Sequence, residues 1–283
     1  MTVAVVGLGA MGSRIAGRLL DAGYDIVVWN RTAEKAKPLV ERGASLAASP
    51  SDAAARAEAV ITMLANPPAL AAVAVEIAAG ASDKLTVIQM STVGPAAVSQ
   101  LASVLPEGTG LLDSPVLGSI GEAESGALKI FVGGPDALVK KWTPLLSVLG
   151  RPLHVGPLGA GTAAKLVANT TLVGVIGLLG EALALGEGLG LTRKVVFEVL
   201  ATTALAQQAE RRRQAVEAGD YPPRFALYLA RKDADLIVEA AAKAGVDVRL
   251  VTAARSWLAD AEAAGLGAQD YSAVLAQILA SKN

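Results

Sequence analysis

The chain has no cysteine, and His154 is its single histidine. Without thiols there is no disulfide, no thiolate nucleophile and no cysteine-based metal site. With one imidazole, neither a histidine-based triad nor a multi-histidine metal centre is expected. Charge is scarce as well: 18% of residues are Asp, Glu, Lys or Arg, and the formal net charge is −1. Such a chain has no basic excess to neutralise phosphates, so nucleic acid is not expected as a partner. Long uninterrupted apolar runs are also missing. The N-terminal stretch TVAVVGLGAMG has a faint likeness to a signal-peptide core, but no positive charge precedes it and it is broken by glycines. Leu166 to Gly180 is uncharged but interrupted by Asn169, Thr170 and Thr171, short of the ~18–20 apolar residues that span a bilayer. Neither segment predicts membrane association, and the protein is expected to be cytoplasmic.

What is present is ample core material. Apolar residues make up 53% of 283 positions, enough for one large or two medium domains and incompatible with disorder.

The first organised signal is Val3 to Val6, a β-branched run, followed by Gly7-Leu8-Gly9-Ala10-Met11-Gly12 and then a helical pattern with Ile15, Leu19 and Leu20 on one face. Gly23 ends that helix and Asp25 to Trp29 forms a second strand. The spacing Gly7, Gly9, Gly12 is G-x-G-x-x-G in the strand–turn–helix setting that a dinucleotide site requires. One glycine makes the turn, one admits the pyrophosphate to the backbone, and one lets helix and strand pack. The phosphates then sit on a helix N-terminus. The second strand exits through Asn30-Arg31-Thr32. There is no acid to bind a ribose 2′-hydroxyl, and Arg31 and Thr32 are available to a 2′-phosphate, so NADP(H) is expected rather than NAD(H).

Alternation continues. Strands are expected at Ala59 to Met63, Thr86 to Met90, Gly110 to Asp113, Lys129 to Val132 and Leu153 to Val155, which gives a mostly parallel, doubly wound α/β domain. The exit loops 64–68, 91–95 and 114–119 should gather at the carboxyl edge of the sheet, where such folds bind ligands. After Gly156 strand signals stop. Helices are expected at 163–188, 193–201, 205–218, 228–244, 248–264 and 270–281, dividing the chain into a dinucleotide-binding domain over 1–158 and an all-helical domain over 159–283.

The long helix opening that second domain carries one cation early, Lys165, with Asn169 four residues on. Residues i and i+4 share a face. Alone, the pattern reads as a lysine whose ammonium reaches solvent along its apolar stem. Gly174, Gly177, Gly180 and Gly186 weaken an isolated helix by ~1 kcal/mol each relative to Ala, and make sense where other helices approach closely, within the chain or in a homodimer or higher homo-oligomer.

Four segments in order, Val6-GLGAMG, Asp113-SPVLGS, Gly159-AGTAAKLVAN and Phe225 to Asp233 (FALYLARKD), resemble the β-hydroxyacid dehydrogenase family, relatives of 6-phosphogluconate dehydrogenase. The likeness covers nearly the whole chain. The ending Gly265-Leu-Gly-Ala-Gln-Asp-Tyr-Ser-Ala-Val and the Asn-Arg-Thr after the second strand are similar to the glyoxylate/succinic-semialdehyde reductase branch, where the latter goes with NADPH. The resemblance implies that Lys165 is the catalytic lysine and Asn169 its partner. It implies that Thr92 lies beside nicotinamide and substrate, that Leu64, Ala65 and Lys232 contact the cofactor, and that Phe225 and Asp233 are substrate-side residues. In the family the loop Asp-Ala-Pro-Val-Ser-Gly-Gly holds the substrate carboxylate. Here Leu117 replaces that serine, leaving the backbone of Gly118 and Ser119 and the Ser119 hydroxyl. A lost hydrogen bond to a charged group costs ~1–3 kcal/mol, so a substrate less acidic, or larger and more apolar, than glyoxylate is expected.

The implied activity is NADPH-dependent reduction of a small aldehyde or ketone, reversible to the hydroxy acid, with Lys165 as acid/base and no metal. Imine reduction shares the fold and Leu117 suits an uncharged substrate, but proteins specialised for imines usually lack the lysine. A non-catalytic NADP-binding scaffold is the third reading, and it predicts a dead or occluded pocket.

Overall fold

A computed structural model describes residues 1–281. The chain divides into two compact units, Met1–Leu166 and the part from Val167 on.

The first unit is built on β1 (Thr2–Val6), whose β-branched residues are buried on both faces, as a central parallel strand requires. In chain order there follow α1 (Ala10–Asp21), β2 (Asp25–Trp29), the single-turn α2 (Lys37–Val40), β3 (Ser45–Leu46), α3 (Pro50–Ala55), β4 (Ala59–Thr62), α4 (Pro67–Gly80), β5 (Thr86–Gln89), α5 (Pro95–Val104), β6 (Gly110–Asp113), β7 (Val116–Leu117), α6 (Ile120–Ser125), β8 (Leu128–Gly133), α7 (Asp136–Leu149) and β9 (Gly150–Gly156). The sheet order is β3-β2-β1-β4-β5-β6-β8-β7, with β9 pairing β8. From β3 through β6 every pairing is parallel, and β8 joins β6 antiparallel.

Alternate strand residues feed two cores. Val3, Val5, Ile26 and Val28 pack with Ile15, Leu19, Trp142 and Leu146 of α1 and α7. Ala4, Val6, Val27 and Val60 pack with Leu70, Ile77, Val98 and Leu101 of α4 and α5. Helices on both faces of one sheet are the doubly wound arrangement the alternation predicts. The chain leaves β1 toward β2 on one side and returns to β4 on the other, so the strand order reverses at β1, beside the loop that begins at Gly7.

Two short strands escape the sequence reading. β3 has only two residues, both exposed, and no periodicity can develop over that length. β7 lies inside the expected 114–119 loop, pairing antiparallel with β8 as Val116↔Ile130 and Leu117↔Lys129.

α8 (Ala160–Gly188) begins in the first unit and continues into the second. The division at 166/167 falls about two helical turns past the expected boundary. The cause is local: a Cβ on Gly161 would lie 2.1 Å from the Asp113 carbonyl oxygen and 2.5 Å from that of Phe131, so the helix start is pressed onto the ends of β6 and β8.

The second unit continues with α9 (Arg193–Leu200), α10 (Ala206–Ala218), α11 (Leu227–Lys243), α12 (Arg249–Ala261), a 3₁₀ turn at Tyr271–Ala273 and α13 (Val274–Ala280). Three glycines of α8 receive neighbours. A Cβ would meet Ala254 Cβ at 3.1 Å from Gly177, Ile278 Cδ1 at 2.4 Å from Gly180, and Val196 Cγ2 at 2.5 Å from Gly186. Gly174 faces open space.

The expectation that the apolar stretch is too short to span a bilayer needs correcting. Asn169, Thr170 and Thr171 do not interrupt the helix, and α8 at 29 residues is long and apolar enough to cross a membrane by length and composition. Its buried residues include Lys165 and Asn169 together with Val173, Ile176, Leu179 and Leu183. A buried, charged face is that of a core helix packed on protein, not one immersed in lipid.

Candidate active site

At the switch point the three glycines have separate tasks. Gly7 adopts φ +100°, and a Cβ there would lie 2.4 Å from the Met63 carbonyl oxygen. A Cβ on Gly12 would lie 1.9 Å from the Gly7 oxygen, so this glycine lets α1 close on the turn. Gly9, the N-cap of α1, is exposed and would meet nothing within 4 Å. Its missing side chain relieves no clash within the protein. It opens a cradle at a helix N-terminus, where a pyrophosphate is stabilised by backbone N–H groups and the helix dipole. Leu8, Ala10 and Met11 complete this turn. The Leu8 N–H donates to Asn30 Oδ1 at 2.9 Å and Asn30 Nδ2 donates to the Thr32 carbonyl at 2.9 Å. Asn30 thereby ties the glycine turn to the end of β2, leaving Arg31 and Thr32 exposed. The residues present fit a nicotinamide dinucleotide.

The β4 and β5 exits are also tied. The Leu64 N–H donates to Ser91 Oγ at 2.8 Å, and the Gln89 side chain both accepts from Ser91 N and donates to Ser91 O, the latter at 2.9 Å. This fixes the backbone on either side of Leu64, Ala65 and Thr92, the residues expected beside the cofactor.

At the β6 exit, Asp113 is fully buried, and its Oδ2 accepts from the Thr162 N–H at 2.6 Å. A carboxylate at the first turn of a helix satisfies an orphan donor and complements the macrodipole. Burial pushes the Asp113 carboxyl up to about 6, opposed by the Thr162 hydrogen bond. Together with Gly161, this bond sets where α8 begins, and Lys165, itself buried, follows within one turn.

The loop after β6 holds Leu117, Gly118 and Ser119. Ser119 is the N-cap of α6 in a capping box: its side chain accepts from the Glu122 N–H, and its own N–H donates to Glu122 Oε2 at 2.8 Å. Of the two Ser119 groups expected to meet a substrate carboxylate, the N–H is engaged as a donor by Glu122, whereas the hydroxyl acts in the capping box as an acceptor. Gly118, at φ +139°, supplies the other backbone N–H of that loop.

Within the helical unit, Asn169 Nδ2 donates to Asp233 Oδ2 at 2.7 Å, and Lys232 Nζ lies 2.6 Å from Asp233 Oδ1. Asn169 and Asp233 are both buried. Lys232 and Asp233 thus form no solvated pair but part of a chain of polar groups ending on α8. The bond fixes the amide orientation, leaving Asn169 Oδ1 as an acceptor on the helix face shared with Lys165. Phe225 packs against Tyr271 with ring centroids 5.7 Å apart and ring planes tilted by 59°. Asp270 Oδ2 accepts from the N–H groups of Arg224 (3.2 Å) and Phe225 (3.1 Å).

A profile described as the NAD binding domain of 6-phosphogluconate dehydrogenase matches residues 2–167, and one described as the NAD-binding domain of NADP-dependent 3-hydroxyisobutyrate dehydrogenase matches residues 159–278. The chain belongs to the β-hydroxyacid dehydrogenase family. Among its relatives, 3-sulfolactaldehyde reductase of Escherichia coli is 35% identical over 99% of this chain and 96% of its own. Glyoxylate/succinic semialdehyde reductase 1 of Arabidopsis thaliana is 30% identical over the whole of both chains. The structure of Mycobacterium tuberculosis 3-hydroxyisobutyrate dehydrogenase with L-serine superposes with TM-score 0.86 at 26% identity, covering 98% of each chain. As a β-hydroxyacid dehydrogenase, the protein is an oxidoreductase acting on CH–OH groups, with a nicotinamide cofactor and a small-molecule substrate.

Sequence reasoning passed over Asp113, Ser91 and Glu122 as working residues of this dehydrogenase. Asp113 stood at the head of a recognised motif, but a buried acid ending a strand gives no local sign of the backbone it will cap. Glu122 had a signal: Ser119-x-x-Glu122 is the capping-box spacing.

Proposed function

We propose that this β-hydroxyacid dehydrogenase reduces a small aldehyde with NADPH, Lys165 serving as the general acid. The observation that carries the reading is the setting of Lys165: a buried lysine one turn into a helix whose start is fixed by Asp113 and Gly161. Four residues on lies a buried asparagine whose amide is oriented by Asp233. The bound nicotinamide supplies the hydride. Lys165 Nζ hydrogen-bonds the carbonyl oxygen and donates its proton as that oxygen gains charge; in the reverse direction it takes the alcohol proton. Asn169 orients the ammonium through Oδ1. The family resemblance assigns substrate donors to Thr92 and the backbone of Gly118, and substrate-side roles to Phe225 and Asp233. Lys232 joins the cofactor contacts.

NADPH is favoured over NADH by the end of β2, which has no acid to hold a 2′-hydroxyl and two exposed groups, Arg31 and Thr32, suited to a 2′-phosphate. The protein is a homodimer or higher homo-oligomer. Support comes from α8 and the residue that follows it, where Val167, Leu178, Leu185 and Leu189 are 55–73% exposed at helical spacing, an apolar stripe a monomer would leave in water.

A panel of aldehydes and cyclic imines assayed with NADPH and NADH in parallel tests the reading. Turnover of an aldehyde with NADPH preferred supports it; turnover of imines alone, or preference for NADH, overturns it.

A further inference from the structure

Gln89 ends β5 as a fully buried primary amide, and its side chain turns back on its own chain. Nε2 donates to the Ser91 carbonyl oxygen at 2.9 Å, and Oε1 accepts from the Ser91 N–H. The strand pairing of β5 stops at Gln89. Beyond it Ser91, itself buried, would carry an N–H and a C=O with neither a strand partner nor water. A primary amide offers both a donor and an acceptor, and it meets both needs. The Gln89 main chain is in use as well, its carbonyl accepting from the Ser114 N–H at 2.7 Å. The bracket continues through Ser91. Its Oγ donates to the Thr62 carbonyl at 3.3 Å and accepts from the Leu64 N–H at 2.8 Å. Met63 and Leu64 in turn lie against the glycine turn: a Cβ on Gly7 would sit 2.4 Å from the Met63 carbonyl oxygen and 2.8 Å from Leu64 Cδ2. One buried residue thus joins the exits of β6, β5, β4 and β1, all within the first unit.

In a doubly wound sheet a dinucleotide lies across the switch point, with its pyrophosphate at the first turn. The order β2-β1-β4-β5 puts β2, with exposed Arg31 and Thr32, on one side of that turn. On the other side lie β4 and β5, with Leu64, Ala65 and Thr92 at their exits. The end of β2 is held separately, by Asn30. We propose that Gln89 is a positioning residue for the nicotinamide half of the cofactor, acting through Ser91 to hold the backbone of Leu64, Ala65 and Thr92 in its binding geometry. With the 2′-phosphate end at Arg31 and Thr32, the nicotinamide half belongs to the β4–β5 side. Gln89 itself is buried and touches neither cofactor nor substrate. A buried polar network satisfied on every side is rigid, which is what precise placement of a reacting ring requires. The inference rests on the reading that these two exits line the cofactor.

Calorimetric titration with NADPH and with 2′,5′-ADP, which carries only the adenosine end and its 2′-phosphate, separates positioning from general damage. Gln89→Met keeps the side-chain length and removes both hydrogen bonds to Ser91. Ser91→Ala removes the acceptor of the Leu64 N–H. Loss of one such bond corresponds to about a 10-fold rise in Kd. A rise of about 10-fold or more is expected for NADPH in each variant, with 2′,5′-ADP within about twofold of wild type. The double variant should bind NADPH no more weakly than the worse single one, because both changes act on one path. Equal losses on both ligands, no loss on either, or additive losses in the double variant would overturn the proposal. Where Gln89→Met does not fold, the same contrast in Ser91→Ala decides it. Thr92→Val tests the contact itself. NADPH weakened by Thr92→Val, but by neither Gln89→Met nor Ser91→Ala, leaves the cofactor-lining reading standing and overturns the positioning. If wild type binds NADH and not NADPH, the 2′-phosphate reading fails, and NADH against 5′-ADP supplies the same contrast. If no aldehyde is turned over while the contrast holds, the activity reading fails and the positioning stands.

Discussion

Asp113 shows how a single buried group ties stability, pH and the site together. Its carboxyl is raised to about 6 in the fold from an ordinary value near 3.8. The native state therefore holds this proton more tightly than the unfolded chain. The stabilisation from that difference is complete below the unfolded value and is lost as pH rises through the folded one. Between about pH 4 and pH 6 the Asp113 contribution should fall by on the order of 3 kcal/mol and then level off. Asp113→Asn keeps an acceptor for the Thr162 N–H but does not titrate. Denaturant unfolding of wild type and Asp113→Asn across pH 4–8 should show a stability difference that shifts against wild type over that window. A pH-independent difference would refute the assignment. At the end of β2, Asn30 ties the turn and Arg31 is exposed. Arg31→Glu should cut the ratio of NADPH to NADH efficiency by about tenfold or more, since a phosphate contact of 1–3 kcal/mol becomes a like-charge repulsion, measured as kcat/KM for each cofactor.

At the scale of elements, the two glycines that look alike in G-x-G-x-x-G part company. Gly12→Ala places a methyl 1.9 Å from the Gly7 carbonyl oxygen, whereas Gly9→Ala meets open space. The first should destabilise the protein by about 1–3 kcal/mol or more, as overpacking does. The second should leave Tm nearly unchanged and weaken cofactor binding, read by NADPH fluorescence titration. Gly161→Ala belongs with Gly12, since its methyl would press on the Asp113 and Phe131 carbonyls. Most elements were legible because their periodicity is strong: α9 to α11 lie within one residue of the sequence reading at each end. The buried parallel strands announce themselves as short β-branched runs between turn residues. β3 and β7 were not legible because two residues carry no pattern, and both exist through pairing with a neighbour. The same contrast holds in the site. Gly7, Gly12 and Lys165 are marked by local spacing. The acts of Asp113 on Thr162 and Asp233 on Asn169 join residues 49 and 64 positions apart, and no local pattern encodes such pairs.

At the scale of the whole molecule, the exposed stripe of Val167, Leu178, Leu185 and Leu189 predicts self-association. Light scattering should give at least a dimer. The double substitution Leu178→Lys, Leu185→Lys should lower the assembly state, because two buried ammonium groups in an apolar interface carry a large desolvation cost. A monomeric wild type would remove the argument. The central claim is that Lys165 is the proton donor of an NADPH-dependent aldehyde reductase. The most direct measurement is kcat of wild type and Lys165→Met on the fastest aldehyde of the panel, with NADPH affinity measured in parallel. The expected result is a loss of about 10²- to 10⁴-fold in kcat, the usual contribution of a positioned general acid, with cofactor affinity unchanged. Turnover near the wild-type rate in Lys165→Met would contradict it.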